Sequence, residues 1–368
     1  MNILIITPGY PDRYKSYFPF VKQLVDEFAH QNHQCIVIAP YSITTNKRIY
    51  RSKEQDGHVI VYRPNYLSFS NLKVGMVRIT DYFRRKAVCK AIKWLPVRPD
   101  VVYCHFWECA LDGYTYAKLN EIPLFVASGE SSISTISNPN TIPQSVRDYV
   151  SGVVCVSSKN KEESILLGLA KPEQCIVLPN AVNTEIFNNH NRAMCRKMLG
   201  FPENDFIVAF VGWFTERKGP MRVAEAIRRV GNVKSIFIGK GDQNPQCDGI
   251  LFKGPLTHDK VPVYLCAADC FVLPTLAEGC SNAVVEAMAC GLPIISSNLS
   301  FNWDVLDESN SILVDPQNID EISEAISILR DDKDKRDKLS EGALRRARSL
   351  NINNRAERVI SFIRERIQ

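Results

Sequence analysis

Two carboxylates, Glu278 and Glu286, stand with seven residues between them in the run Glu-Gly-Cys-Ser-Asn-Ala-Val-Val-Glu. Ser281 or Asn282 can cap a helix start, and Ala-Val-Val-Glu-Ala-Met-Ala-Cys then runs helically to Gly291-Leu292-Pro293. Glu278 falls in the loop before that helix and Glu286 about a turn inside it. Between them lies a helix N-terminus, with free backbone N–H groups and a positive dipole end, which is a seat for a diphosphate. Carboxylates on either side suit the hydroxyls of a sugar and a ribose. The arrangement points to a pocket for a nucleotide-sugar.

The elements that must position these groups alternate between strand and helix, the pattern of parallel sheets covered by helices on both faces. Asn2–Thr7 reads as a buried strand, Pro19–Gln31 as a helix with Val21, Leu24, Val25 and Phe28 at helical spacing, and Gln34–Ala39 as a strand. Asp100–Cys104, Leu124–Ala127 and Gly152–Val156 continue the series. A second series begins at Phe206–Val211 and includes Met221–Val230, Ser235–Ile238, Val261–Ala268, Cys270–Leu273 and Ile294–Ser296. Two Rossmann-like units in succession are expected, with the linker near residues 180–203, where Asn and Pro punctuate the pattern. The terminal stretch Ala356–Ile367 keeps Val359, Ile360, Phe362, Ile363 and Ile367 apolar, a face that must be buried.

The chain has 368 residues, 45% of them apolar and 23% charged, ordinary values for a globular protein of two domains. No apolar run approaches the ~20 residues that span a bilayer. The N-terminal apolar stretch lacks a basic leader and is too short for a signal peptide. The 12 cysteines form no Cys-x-x-Cys and sit in apolar patterns, so reduced, buried thiols and a cytoplasmic setting are expected. Charge is uneven: residues 1–150 hold 18 Lys and Arg against 12 Asp and Glu, and the remainder 27 against 28. Residues 73–98 hold eight basic residues and one Asp. Here Met76, Phe83, Ala87, Ala91 and Trp94 recur on one helical face, opposite Arg78, Arg85 and Lys93. Such a segment fits either a solvated surface helix or a contact with anionic lipid. No aromatic-basic RNA motif accompanies it, so no nucleic acid partner is expected.

The paired glutamates, the following Ala-Met-Ala-Cys-Gly-Leu-Pro and the preceding strand resemble the family 4 retaining glycosyltransferases. Three further segments fit in order along nearly the whole chain. Pro179-Asn180-Ala181-Val182-Asn183 is similar to the family's Pro-Asn-Gly-Val-Asp, Gly212–Gly219 to its donor-binding loop, and Gly239-Lys240-Gly241-Asp242 to its glycine turn. The subgroup it resembles is that of the teichuronic acid and capsular polysaccharide glycosyltransferases. The resemblance implies an α/β fold of the GT-B class: two facing Rossmann-like domains with parallel sheets and a C-terminal helix crossing back to the N-terminal domain. The implied acceptor-binding domain is 1–185 plus about 354–368, and the donor-binding domain is 186–353. Departures stand beside the likeness. Trp213 occupies a position where the family usually has Arg, Ser128-Gly129-Glu130 replaces a common His-Gly pair, and the glycine-rich N-terminal loop is reduced to Gly9.

The resemblance lends roles to matching positions. Lys218, with Glu278, would be catalytic, the lysine neutralising the departing diphosphate. Arg217, Lys218, Gly241, Glu278, Gly279, Ser281, Asn282, Ala283 and Glu286 would bind the donor, a UDP- or GDP-sugar, with Glu286 on the ribose hydroxyls. Gly9, His105 and Glu130 would bind the acceptor, a glycan or a lipid-linked glycan. No Asp-x-Asp ends an apolar strand, so no metal and no cofactor are expected. The expected function is retaining transfer of a hexose in surface polysaccharide biosynthesis, by a cytoplasmic protein peripheral at the inner face of the cell membrane. A nucleotide-sugar epimerase and a non-catalytic nucleotide-sugar-binding subunit of a transferase complex are the competing readings.

Overall fold

A computed structural model describes residues 1–12, 18–43, 53–69, 72–74, 77–133 and 141–367. The chain divides into two compact units, Met1–Leu178 with Ala356–Gln368, and Pro179–Arg355.

Among the described residues, the first unit is built on eight strands in the order Cys175–Val177, Val150–Cys155, Leu124–Ser128, Val101–His105, Asn2–Ile6, Gln34–Ile38, Val59–Tyr62, Lys53–Asp56. All pairings are parallel except the last, an antiparallel edge. Ile3–Ile6 and Val101–Cys104 are wholly buried, as continuous apolar runs between two helical layers must be. The strand order reverses between Asn2–Ile6 and Val101–His105, so the loops after these two strands flank the crevice where such sheets bind ligands.

The terminal helix Ile352–Ile367 buries its apolar face in this unit from Ala356 onward. Phe362 meets Phe125 edge-on at 6.0 Å, and a side chain at Gly152 would strike both rings within 3 Å. Gly152 therefore makes the room that the returning helix needs.

The second unit carries six parallel strands in the order Ile250–Gly254, Lys234–Ile238, Ile207–Val211, Cys270–Leu273, Ile294–Ser297, Ser311–Val314. Its reversal lies between Ile207–Val211 and Cys270–Leu273. Residues 180–203, read from the sequence as linker, contain a helix, Arg192–Leu199. The polar composition hid it, although both caps were present: the Asn191 side chain accepts from the Met194 N–H at 3.0 Å, and Gly200 closes it in the left-handed region.

The basic segment also departs from its expected pattern. Its helix is Ile79–Ile92, and the buried side is Arg84, Val88, Ala91 and Ile92, while Trp94 is 49% exposed. Met76 lies outside the described residues. Arg84 goes inside because Glu108 and Asp112 of the helix Trp107–Leu119 meet its guanidinium there. A buried cation is tolerated when paired in this way.

Candidate functional site

The second unit gathers its polar residues at the carboxyl ends of three adjacent strands. Ile207–Val211 leads into Gly212–Gly219, Lys234–Ile238 into Gly239–Gly241, and Cys270–Leu273 into Pro274–Ser281. Two glycines let the first two loops touch. A Cβ at Gly239 would lie 1.8 Å from the Gly212 carbonyl oxygen, and one at Gly241 would lie 2.2 Å from that of Phe214. The Phe214 N–H donates to the Lys240 carbonyl at 2.8 Å across this seam. Gly241 thus serves the site through its backbone, by allowing the loops to close on each other.

Lys218, Arg217 and Glu278 converge at the reversal point. The Lys218 ammonium is paired with Glu278 Oε1, which also accepts from Arg217 Nη1 at 2.7 Å and Thr275 Oγ1 at 3.2 Å. Arg217 donates further to the Ala277 carbonyl at 2.5 Å, and the Leu276 N–H returns a bond to the Arg217 carbonyl at 2.8 Å. The lysine and carboxylate are nearly buried, at 12 and 13% exposure, and the arginine is 40% exposed. One carboxylate thus serves two cations and the cluster keeps net positive charge.

The loop continues through Gly279 and Cys280, both buried, where Asn180 Nδ2 donates to the Cys280 carbonyl at 2.9 Å. The Pro-Asn-Ala-Val-Asn segment therefore acts as a strut under the glutamate loop.

Helix Asn282–Ala289 starts where the sequence reading put it, with Ser281 as the extended N-cap residue. The Ser281 side chain makes no capping bond, and the Asn282 Oδ1 atom is buried without a partner. The helix start formed by Ser281, Asn282 and Ala283 thus presents N–H groups that the Ser281 side chain leaves uncapped.

Glu286 sits on the next turn, and its Oε1 pairs with His258 Nε2 at 2.8 Å. His258 was not among the site residues expected from the sequence. The available signal was its place in the loop after Ile250–Gly254, another strand ending at this edge. Burial disfavours the imidazolium, but the hydrogen bond and charge of Glu286, with Asp259 beside it, outweigh that and raise His258 above its ordinary value of 6.5. A raised folded value means that the pair's stabilisation is complete below the unfolded value and is lost as pH rises through the folded one. His258→Gln should therefore lower the melting temperature most below about pH 6.5 and progressively less in alkaline buffer. A thermal-shift series across pH reads this directly, and a gap independent of pH would refute the charged pair.

In the first unit, Gly9 and Glu130 follow the strands Asn2–Ile6 and Leu124–Ser128, and His105 ends the strand Val101–His105 between them, all at the carboxyl edge. The Thr7 hydroxyl donates to the Gly9 carbonyl at 2.9 Å. His105 is buried between the rings of Phe20 and Tyr103, at 6.4 and 5.4 Å. Glu130 is buried as well. Its Oε1 accepts from the Trp107 N–H at 2.9 Å and its Oε2 from the Ser128 hydroxyl at 2.9 Å. Burial raises its pKa against these hydrogen bonds. The carboxylate holds the start of helix Trp107–Leu119, whose preceding residue Phe106 has the uncommon φ of 72°. All nine donor-side residues share one unit, and the three acceptor-side residues share the other.

Trp213 is 54% exposed at the donor-side edge, and Lys240 Nζ lies over its ring at 5.6 Å.

Residues 205–332 match the family described as Glycosyl transferases group 1. The chain is 26% identical over 351 residues to a putative teichuronic acid biosynthesis glycosyltransferase of Bacillus subtilis, covering 89% of this chain and 88% of that protein. It is 28% identical over 263 residues to an Escherichia coli UDP-Gal:alpha-D-GlcNAc-diphosphoundecaprenol alpha-1,3-galactosyltransferase, covering 64% of this chain and 67% of the other. Among solved structures, sucrose-phosphate synthase from Thermosynechococcus elongatus matches with a TM-score of 0.79 at 18% identity, over 99% of each chain. Anabaena HepE in complex with UDP-glucose matches with a TM-score of 0.76 at 16% identity, again over 99% of each. The fold class is GT-B, as the sequence resemblance implied.

Proposed function

We propose that this chain is a glycosyltransferase of group 1 and that it moves a hexose, with retention, from a UDP- or GDP-sugar to a glycan or lipid-linked acceptor in surface polysaccharide or glycoconjugate biosynthesis. The observation that carries the reading is the cluster of Lys218 and Arg217 on Glu278, one loop from the helix bearing Glu286. Two relatives support the substrate classes by their names, one through teichuronic acid and one through UDP-Gal and a diphosphoundecaprenol acceptor.

In this reading the donor diphosphate takes up the cationic end of the cluster. Lys218 and the N–H groups at Ser281–Ala283 stabilise the charge that grows as the bond from the anomeric carbon to the phosphate oxygen breaks. The acceptor oxygen forms its bond to that carbon from the same face, and the leaving phosphate takes the acceptor's proton. No protein nucleophile is required. Glu278 holds hydroxyls of the transferred sugar, Glu286 those of the ribose, and Gly9 and His105 line the acceptor side, with Glu130 positioning the loop beside them.

The membrane is the proposed location of the acceptor. Among the described residues no helix is long and apolar enough to cross a bilayer. The first unit exposes Leu67, Phe69, Leu72, Tyr82 and Trp94 beside the basic helix Ile79–Ile92, with Lys86 over Tyr82 and Lys90 over Trp94. Aromatic rings interleaved with lysines suit the headgroup layer of an anionic surface.

The test is a panel of UDP- and GDP-sugars offered to the purified protein after chelator treatment, with and without anionic vesicles carrying polyprenyl-diphosphate glycans. The expected result is slow release of the nucleoside diphosphate from one donor, acceleration by the loaded vesicles, and retained anomeric configuration in the product. Appearance of an epimer of the donor would favour an epimerase. Tight binding without turnover, even on loaded vesicles, would favour a non-catalytic subunit.

A further inference from the structure

We infer that Lys240 is a diphosphate-binding residue of the donor site and that Trp213 is the residue that positions it; this rests on the donor-site reading above. A nucleotide-sugar diphosphate is multiply anionic and gains charge as it leaves. Lys218 and Arg217 meet it already sharing Glu278, so much of their charge is compensated before any ligand arrives. Lys240 is different. It is exposed, and among the described residues no carboxylate lies within ion-pair distance of it; its contact is the face of Trp213.

Its place is built into the backbone. Gly239 and Gly241 on either side press their α-carbons onto the carbonyl groups of Gly212 and Phe214, contacts that no side chain at either position would permit. The Phe214 N–H to Lys240 carbonyl bond and the bridge between Phe214 and Gly241 complete the seam. The stem of Lys218 passes over Gly212, its Cδ 3.6 Å from where a Cβ would be. Lys218 therefore crosses the residue before Trp213, while Lys240 is sewn to the residue after it. Both lysines lie in the loops that follow the carboxyl ends of neighbouring strands, Ile207–Val211 and Lys234–Ile238.

A lysine on a solvated four-carbon stem loses much rotamer freedom when it binds a phosphate. The indole face reduces that loss by holding the ammonium electrostatically over the ring. This gives Trp213 a reason to be a large aromatic residue in solvent.

The experiment measures binding of UDP and GDP, and of uridine and guanosine, to the full chain by calorimetry. Lys240→Met should weaken the preferred nucleoside diphosphate roughly tenfold, leave its nucleoside unchanged, and reduce the salt dependence of the diphosphate affinity. Trp213→Ala should weaken the diphosphate by a smaller factor, with Trp213→Phe restoring most of it. Lys218→Met is the internal control. If Lys218→Met weakens the diphosphate while Lys240→Met binds like the parent, Lys240 has no such role and the donor site stands. If both variants bind like the parent, the donor site itself is misplaced. Equal weakening of nucleoside and diphosphate by Lys240→Met would also overturn the inference, because it marks a structural effect.

Discussion

Lys218→Met is expected to lower turnover of the nucleotide-sugar by about two to three orders of magnitude in kcat, with little change in melting temperature. The activity loss follows from position. The lysine stands at the strand-order reversal of the second sheet, nearly buried, where a charge works against a lower dielectric than at the surface. Stabilisation of a charge that grows during bond breaking appears in kcat rather than in ground-state affinity alone. The fold should survive for two reasons. Methionine keeps the stem that packs over Gly212, and Glu278 retains Arg217 and Thr275 as partners, so no buried carboxylate is orphaned. Arg217→Met serves as the comparison. That guanidinium is more exposed and holds the Ala277 carbonyl, so its loss should cost several-fold less in kcat. Steady-state kinetics at saturating donor, paired with thermal melts, distinguishes the outcomes. Parental turnover by Lys218→Met would remove the cluster from the chemistry.

What the sequence made legible was local. The alternation of strand and helix gave the two mainly parallel sheets because each element is short and carries its own period in adjacent residues. The start of the helix at Ser281 was legible because capping chemistry is written in adjacent residues. The features that escaped are contacts made at a distance in sequence. His258 reaches Glu286 only because the sheet brings the loop after Ile250–Gly254 beside the helix start, 28 residues away. Arg217 turns onto Glu278 because the loop from Pro274 closes over it, a matter of tertiary geometry that the dipeptide Arg-Lys does not encode. Arg84 misled in the opposite direction: a charge reads as exposed unless its partners are known, and those partners, Glu108 and Asp112, belong to another helix. Lys240 lay inside a recognised glycine turn, but only the close approach of Gly239 to Gly212 shows which loop it faces.

Glu286→Ala is expected to raise the KM for the nucleotide-sugar by roughly ten- to hundredfold, the range for a hydrogen bond between a hydroxyl and a carboxylate. It should do so only when the ribose hydroxyls are present. Glu286 is largely buried on the second turn of its helix, and its Oε1 is held by His258. Among the described residues its Oε2 has no hydrogen-bond or ion-pair partner, so it can accept from a ligand. A carboxylate fixed in this way favours a vicinal diol and is left short of a partner by a donor that lacks it. The parent should therefore discriminate strongly between a ribo-donor and its 2′,3′-dideoxy analogue, and Glu286→Ala should treat the two alike. Glu286→Gln separates charge from geometry. It keeps an acceptor oxygen and a contact to His258 but removes the charge that raises the imidazole, so His258 should titrate nearer its ordinary value. If Glu286→Gln retains discrimination between the two donors while losing the pH-dependent stability, the side chain recognises the diol by hydrogen-bond geometry and the charge serves His258. If Glu286→Ala still prefers the ribo-donor as the parent does, the ribose is held elsewhere, and the two glutamates with seven residues between them do not mark the two ends of the donor.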